Sequence, residues 1–426
     1  MDVGPGPVDR FGRVAIPGRL RAGVQVAAPS LASVQAGGAD VRPDPGPCVL
    51  VVFVITTALL GLGWGPLAAG RGGGIAPLIA LDRSCEALRT ERETQWLNKL
   101  SLSTQLSRLP LVLLTHLGGL SVGVESPSAA LGASVLLAIR RRWPQWTPLA
   151  SMPLPLVGVI GGAAGLGAAF RSPLLGVTYG LEELGRRAGL PLMVPTLLIA
   201  AVGALINTGL GQPARLPGLQ LGPIAPMLWP WSVLITVVGA ALGAAFVRML
   251  IPFTALVQQG LKRHRSIAIL CIASLLSLLA LLSGGLSLND GSLSLAAALQ
   301  GTSGGPPQTL LWRWLASLLS IAAGAPGGLM HDVMTLGSLL PGLLRWLPTW
   351  ADLPPTALAQ LGAIGATALF AAANGTPLFC ALFVFTLQGD PQLLAPLLLV
   401  SALSEALGSR LRGEGWNEHL SRALMS

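Results

Sequence analysis

Along most of this chain apolar residues do not alternate with polar ones. They run in blocks: Val49–Leu62, Val157–Phe170, Pro191–Ile206, Trp229–Ile251, Ile267–Leu282, Leu310–Ala323, Pro355–Ala372 and, with interruptions, Leu378–Leu407. A helix rises about 1.5 Å per residue, so crossing about 30 Å of hydrocarbon takes roughly 20 apolar residues. The pattern therefore predicts a set of membrane helices. Several blocks are too short for a simple span, or are cut by Gly and Pro. Broken helices persist at membrane depth only where they are buried in protein or line a cavity. The interruptions thus favour a transporter or channel over a bundle of anchors. Between the blocks, Arg83–Lys99 and Leu282–Pro307 read as polar connectors, and Gly408–Ser426 as a polar tail with no soluble domain after it. Residues 1–47 lack a long apolar core, so they read as a Pro/Gly/Arg-rich cytoplasmic arm with a surface helix near Phe11–Leu31, not as a cleaved signal.

Composition points the same way. The chain has 426 residues, of which 52% are hydrophobic and only 11% charged, and it holds 54 Gly and 34 Pro. Its mean hydropathy is +0.67. A soluble chain of this length covers its surface with far more charge. The net charge of +9 invites a nucleic-acid partner, and the distribution excludes it. The basic residues cluster between apolar blocks, as Arg140-Arg141-Arg142, Arg186-Arg187 and Lys262-Arg263, which orients a membrane protein with its positive side inside. No aromatic and basic platform is interleaved. Cys48, Cys85, Cys271 and Cys380 are dispersed without metal spacing, so neither a metal nor a cofactor is expected; Cys271 and Cys380, in apolar runs, read as small core residues.

The chain repeats itself. Ala168-Ala169-Phe170-Arg171-Ser172-Pro173-Leu174 matches Ala372-Ala373-Asn374-Gly375-Thr376-Pro377-Leu378 as A-A-x-x-x-P-L, at an offset of 372 − 168 = 204. Gly123 aligns with Gly327 at the same offset, 327 − 123 = 204. Paired Gly/Pro-interrupted segments in two halves point to a transporter site at the repeat interface. The halves are expected at about 48–210 and 228–426 within one membrane domain, 48–426.

Four segments carry candidate chemistry. Gly70-Arg71-Gly72-Gly73-Gly74-Ile75-Ala76-Pro77 offers free backbone amides ahead of a helical run, Ile75–Leu88; a helix N-terminus with free amides is an anion site. The alternative is a flexible turn. Gly118–Pro127 holds Glu125 in apolar surroundings before a small-residue helix, Ser128–Ala138. A carboxylate there is costly and hence a functional candidate. Sitting where an anion would sit, it would block the site when ionised and vacate it when protonated; the other reading is a loop-exposed Glu capping the helix. Leu181-Glu182-Glu183-Leu184 puts two carboxylates on different faces, so at most one faces inward; the other reading is a solvated helix end beside Arg186-Arg187. Gly324-Ala325-Pro326-Gly327-Gly328-Leu329-Met330-His331-Asp332 is a second Gly-rich loop leading into a helix, where His331 and Asp332 could simply pair. The four histidines form no catalytic set, so an intramembrane hydrolase is a remote alternative.

These segments resemble the CLC family of chloride channels and proton-coupled chloride transporters. The family's G-S-G-I-P, G-R-E-G-P and G-G-x-F-x-P resemble Gly72-Gly73-Gly74-Ile75-Ala76, Gly123-Val124-Glu125-Ser126-Pro127 and Gly327-Gly328-Leu329-Met330-His331-Asp332. Ala164–Leu184 resembles the family's A-A-x-F-N-A-P-L block ending in E-E, and Gly365–Asp390 its partner in the second half. The resemblance runs from about Cys48 to the C-terminus. It implies an all-α, polytopic membrane fold with two inverted-topology repeats and broken helices, built as a homodimer in a lipid bilayer. It implies chloride or a similar small anion, and protons, as the partners. By the same resemblance Glu125 stands at the gating glutamate and Glu183 at the internal proton-transfer glutamate. Gly73 replaces an anion-coordinating Ser, Met330 the pathway Phe, and Trp416 a Tyr. The amides of Gly74, Ile75, Leu329 and Met330 would remain for the anion, with the Trp416 indole N–H beside them. Asp332 stands in place of a Pro.

The favoured reading is a proton/chloride antiporter in the plasma membrane of a prokaryote. A passive anion channel, or a branch selective for another halide or nitrate, is the alternative. Glu125 and Met330, 330 − 125 = 205 residues apart, are expected to lie close together, and Arg71 is the nearest candidate for a cation touching the anion.

Overall fold

The apolar blocks fold as helices because their amides have no water to bond in hydrocarbon and must be satisfied within the segment. The computed structural model describes residues 45–146, 148–185, 189–211, 221–302, 305–344 and 353–425. The expected N-terminal arm up to residue 44 and the Arg186-Arg187 pair lie outside them. The first helices are α1 (Pro45–Gly63), α2 (Ala76–Arg83), α3 (Glu86–Lys99), α4 (Leu102–Leu117), α5 (Glu125–Arg142), α6 (Leu154–Ala169), α7 (Pro173–Tyr179) and α8 (Leu190–Gly209). After them come α9 (Trp229–Arg263), α10 (Arg265–Leu282), α11 (Ser292–Leu299), α12 (Thr309–Ala322), α13 (Met330–Ser338) and α14 (Leu340–Leu343). The chain closes with α15 (Pro355–Asn374), α16 (Pro377–Gln388), α17 (Leu394–Arg412) and α18 (Trp416–Met425).

Five described helices are long and apolar enough to cross a membrane, and four shorter apolar helices accompany them. Their surroundings differ. The window in Pro355–Asn374 is 89% buried within the protein, whereas that in Leu190–Gly209 is only 22% buried. The first is therefore the central helix of the second half. The second turns Leu190, Val194, Leu198, Val202 and Leu205 outward, the surface of a multi-pass integral membrane protein.

The 204-residue offset reappears in the backbone. Arg171 and Gly375, 375 − 171 = 204 apart, both have a left-handed φ, 55° and 81°. Each ends a long helix, α6 or α15, just before a Pro opens the next short one. The long helices also cross a neighbour at glycines in each half. A Cβ on Gly132 of α5 would strike Gly161 of α6, and one on Gly337 of α13 would strike Gly365 of α15. Such small residues let helix backbones approach directly.

Five local expectations change. The run after Ile75 breaks at Ser84, and the expected connector Arg83–Lys99 holds the amphipathic helix α3, which buries Trp96 and Leu97. The expected connector Leu282–Pro307 holds α11. The tail folds back as α18 against α2, since Leu420 and Leu424 give it an apolar side. Cys271 is exposed on α10 instead of sitting in the core, while Cys380 is buried.

Candidate functional site

The two Gly-rich loops meet. Gly123 and Gly328 exchange backbone hydrogen bonds, each N–H donating to the other's carbonyl at 2.8 Å. The Gly72 N–H donates to the Gly324 carbonyl at 3.1 Å. These bonds draw the start of α2, the start of α5 and the start of α13 to one point. Between them lies a cavity of about 30 Å³, lined by Gly73, Gly74, Ile75 and Ala76 from the first loop and by Gly327, Gly328, Leu329 and Met330 from the second. Ser126, Trp416, Asn417 and Leu420 complete its wall. A body the size of two or three waters fits such a space, at about 10–15 Å³ each. The first-turn amides of a helix have no partner within it, and the helix dipole adds partial positive charge there. Two such turns, from α2 and α13, border this cavity.

The hydroxyl missing at Gly73 has a neighbour in its place. A Cβ on Gly73 would lie 2.8 Å from the Ser126 Cβ and 2.9 Å from the Gly327 carbonyl oxygen. No side chain fits there without a shift, because Ser126 and the Gly327 carbonyl occupy the room. Ser126 is buried and supplies the one hydroxyl among the residues lining the cavity. Sequence reasoning passed over it; its signal was a Ser in the motif that otherwise reads as glycine.

Glu125 opens α5, wholly buried. Its Oε1 is hydrogen-bonded to His331 Nδ1, and its Oε2 finds no partner among the described residues. A Cβ on Gly328, in the cavity wall, would lie 3.2 Å from that oxygen, so the carboxylate stands beside the cavity. Glu125 thereby contacts the residue next to Met330. The helix begins at Glu125 itself, three residues before the expected start at Ser128.

Glu183 sits in a wide turn, Gly180–Leu184, that continues α7 with the Gly185 N–H reaching the Gly180 carbonyl at 2.8 Å. Such π turns are frequent at functional positions. Its side chain is buried and accepts a 2.7 Å hydrogen bond from Asn417 Nδ2, a residue of the cavity wall. Glu182 points elsewhere: its oxygens accept from the N–H groups of Leu378 and Phe379 at 3.1 and 2.7 Å, capping α16. One carboxylate of the pair is structural, and the other reaches toward the site.

His331 and Asp332 do not pair with each other. Asp332 accepts from Ser121 at 2.5 Å and from Ser317 at 2.9 Å, and its carboxylate stays out of the cavity wall. Arg71 does not reach the cavity either; its guanidinium lies 3.7 Å from the ring centre of Trp64. Arg108 of α4 lies nearer. It is buried, donates from Nε to the Gly70 carbonyl at 3.2 Å, also bonds Gln105, and occupies the space where a Cβ on Gly74 would fall. It too is absent from the cavity wall, so its charge acts from behind the loop without contact. It follows Ser103, Thr104, Gln105 and Ser107, and that polar run masked it.

The family model described as voltage gated chloride channel matches residues 53–409. The voltage-gated ClC-type chloride channel ClcB of Escherichia coli is 26% identical over 364 residues, 79% of this chain and 79% of its own length. The H(+)/Cl(-) exchange transporter ClcA of Cronobacter sakazakii is 26% identical over 318 residues, 70% of this chain and 64% of its own length. Among solved structures, that of a slow cyanobacterial Cl-/H+ antiporter superposes with a TM-score of 0.71 at 20% identity, covering 96% of this chain and 95% of that one.

Proposed function

Because the chain belongs to the voltage-gated chloride channel family, we propose that it exchanges chloride or a similar small anion for protons across a membrane. The observation that carries this reading is a cavity bordered by the N-terminal turns of α2 and α13, with one buried carboxylate beside each side of its wall. The amides of Gly74, Ile75, Leu329 and Met330, with the Ser126 hydroxyl and the Trp416 indole, would hold the anion. Dipoles and amides bind an anion without the tight pairing that would stop it leaving. Glu125 would serve as gate and proton acceptor, and Glu183 as the second proton station. The C-terminal ends of α5, α9 and α17 carry the basic clusters and would face the cytoplasm. The plasma membrane of a prokaryote and a homodimer with one path per subunit belong to the same proposal.

A passive channel is the second reading, favoured by Gly73 and Trp416, since weaker central binding loosens coupling. The test is anion efflux with simultaneous proton recording from purified protein in liposomes. Uphill proton movement driven by a chloride gradient is expected. Chloride efflux without proton movement selects the channel. No efflux of chloride, fluoride or nitrate rejects anion transport altogether.

A further inference from the structure

The transport reading uses Glu125 and leaves its partner without a role. His331 is buried, opens α13 one residue after the cavity-lining Met330, and bonds Glu125 Oε1 through Nδ1. Its ring is clamped: it stacks on Phe170, with centroids 5.8 Å apart and planes at 23°, and meets Phe383 edge-on at 5.6 Å and 82°. An imidazole fixed by two aromatic rings fixes the direction of its own hydrogen bond. The Glu125 carboxylate is held by a group from the other half of the chain.

We propose that His331 is the positioning residue of Glu125, and that the imidazole–carboxylate pair, not the carboxylate alone, is the unit that takes up and gives up the proton. The inference rests on the anion-transport reading above. The chemistry follows from what each partner can carry. With the carboxylate ionised, Nδ1–H donates to Oε1. With the carboxyl protonated, its O–H can donate to Nδ1 of the neutral ring. A further proton can enter only on the ring. The bond therefore survives one protonation, and the carboxyl leaves His331 freely only when the ring gives up Nδ1 as an acceptor. Two ionisable groups in direct contact titrate in two macroscopic steps that belong to the pair. A lone glutamate titrates in one.

Other charged groups act on the pair from neighbouring elements. Asp290, in the loop between α10 and α11, acts electrostatically on His331. Arg313 of α12 acts on Asp290 and on Asp332, the next residue of α13. Tyr179 of α7 interacts with Glu125. The element packed most extensively on α13 is α15, which carries no charged residue, and α11 carries none. Asp332, already bonded to Ser121 and Ser317, is committed elsewhere.

The test is anion flux from liposomes with external pH varied at fixed internal pH. Wild type is expected to need two ionisations to fit its profile, and His331→Gln, which keeps a hydrogen-bonding side chain but cannot titrate, only one. In the Glu125→Gln background the same His331→Gln change should leave the profile unaltered, which a merely structural role would not do. A wild-type profile fitted by one ionisation overturns the inference without any variant. So does a His331→Gln profile that superimposes on wild type, or one that changes equally whether or not Glu125 is present. If wild type carries no anion at all, the transport reading has failed instead, and the two failures are distinct.

Discussion

Glu125 and Glu183 are both buried carboxylates beside one cavity, yet they are held by opposite means. Glu125 stands at the start of a helix, bound on one oxygen to an imidazole that can itself gain or lose a proton, with the other oxygen free of partners among the described residues. Glu183 stands at the end of a helix in a π turn, bound to the amide of Asn417, which cannot titrate. The first partner can change its own protonation; the second cannot. A carboxylate that must alternately block and open a path needs the former. A station that only passes a proton needs a fixed position and a partner indifferent to pH. The difference in partners fits the tasks proposed for them, gate against relay.

Neutralising the gate should have the largest effect. Glu125→Gln keeps the shape and removes the charge, so competition between side chain and anion no longer depends on pH. Proton counter-movement should fall to background while anion efflux persists and loses its dependence on external pH, read in the same liposome assay. Glu183→Gln should also abolish proton movement, but its anion flux should stay sensitive to external pH because Glu125 still titrates. If the two variants behave identically, the contrast between gate and relay is wrong. Asn417→Ala refines the second half: it removes the hydrogen bond that Asn417 Nδ2 donates to Glu183 Oε1. Proton flux should drop several-fold with anion flux nearly intact, on the order of the 0.5–1.5 kcal/mol of a single hydrogen bond.

The anion itself gives the next smaller effect. Ser126→Ala removes the cavity's hydroxyl, and hydrogen bonds to a charged group are worth about 1.5–3 kcal/mol, so anion affinity by calorimetry should weaken roughly tenfold or more. Gly73→Ser alone should disturb folding, because its Cβ meets Ser126. Gly73→Ser combined with Ser126→Gly removes the contact with Ser126 but leaves the 2.9 Å approach to the Gly327 carbonyl oxygen, so the melting temperature of the double variant should recover only in part.

The helices and the two-half plan were legible because apolar blocks and Gly/Pro interruptions are local signals, and because the 204-residue offset survives in Arg171 and Gly375 as shared backbone geometry. Glu125 was legible because a carboxylate among apolar residues is conspicuous. What escaped was side-chain direction. The sequence puts His331 next to Asp332, and adjacent residues on a helix point about 100° apart, so one meets Glu125 and the other Ser121 and Ser317. Ser126, Arg108 and Asn417 act across tertiary contacts between segments distant in the chain, and no spacing announces such contacts. The segment Arg83–Lys99 looked like a connector because its charges hide the two positions, Trp96 and Leu97, that bury it.

The smallest effect lies between the two carboxylates. Tyr179, the single tyrosine of the chain, is fully buried one turn before Glu183. Its ring packs on Phe379 with centroids 4.9 Å apart, and it interacts electrostatically with both Glu183 and Glu125. Its hydroxyl has no hydrogen-bond partner among the described residues. Burying a hydroxyl without a partner costs about 1–3 kcal/mol, whereas replacing it with an apolar group of the same shape is nearly neutral or stabilising. Tyr179→Phe should therefore leave anion flux unchanged and hold or slightly raise the melting temperature of the purified protein in detergent. Proton flux decides the rest. If it too is unchanged, Glu125 and Glu183 exchange protons without this hydroxyl, and the relay consists of the two carboxylates and whatever water enters between them. If proton flux falls while anion flux holds, the hydroxyl is a third station, and the two-carboxylate comparison has to be redrawn with Tyr179 at its centre.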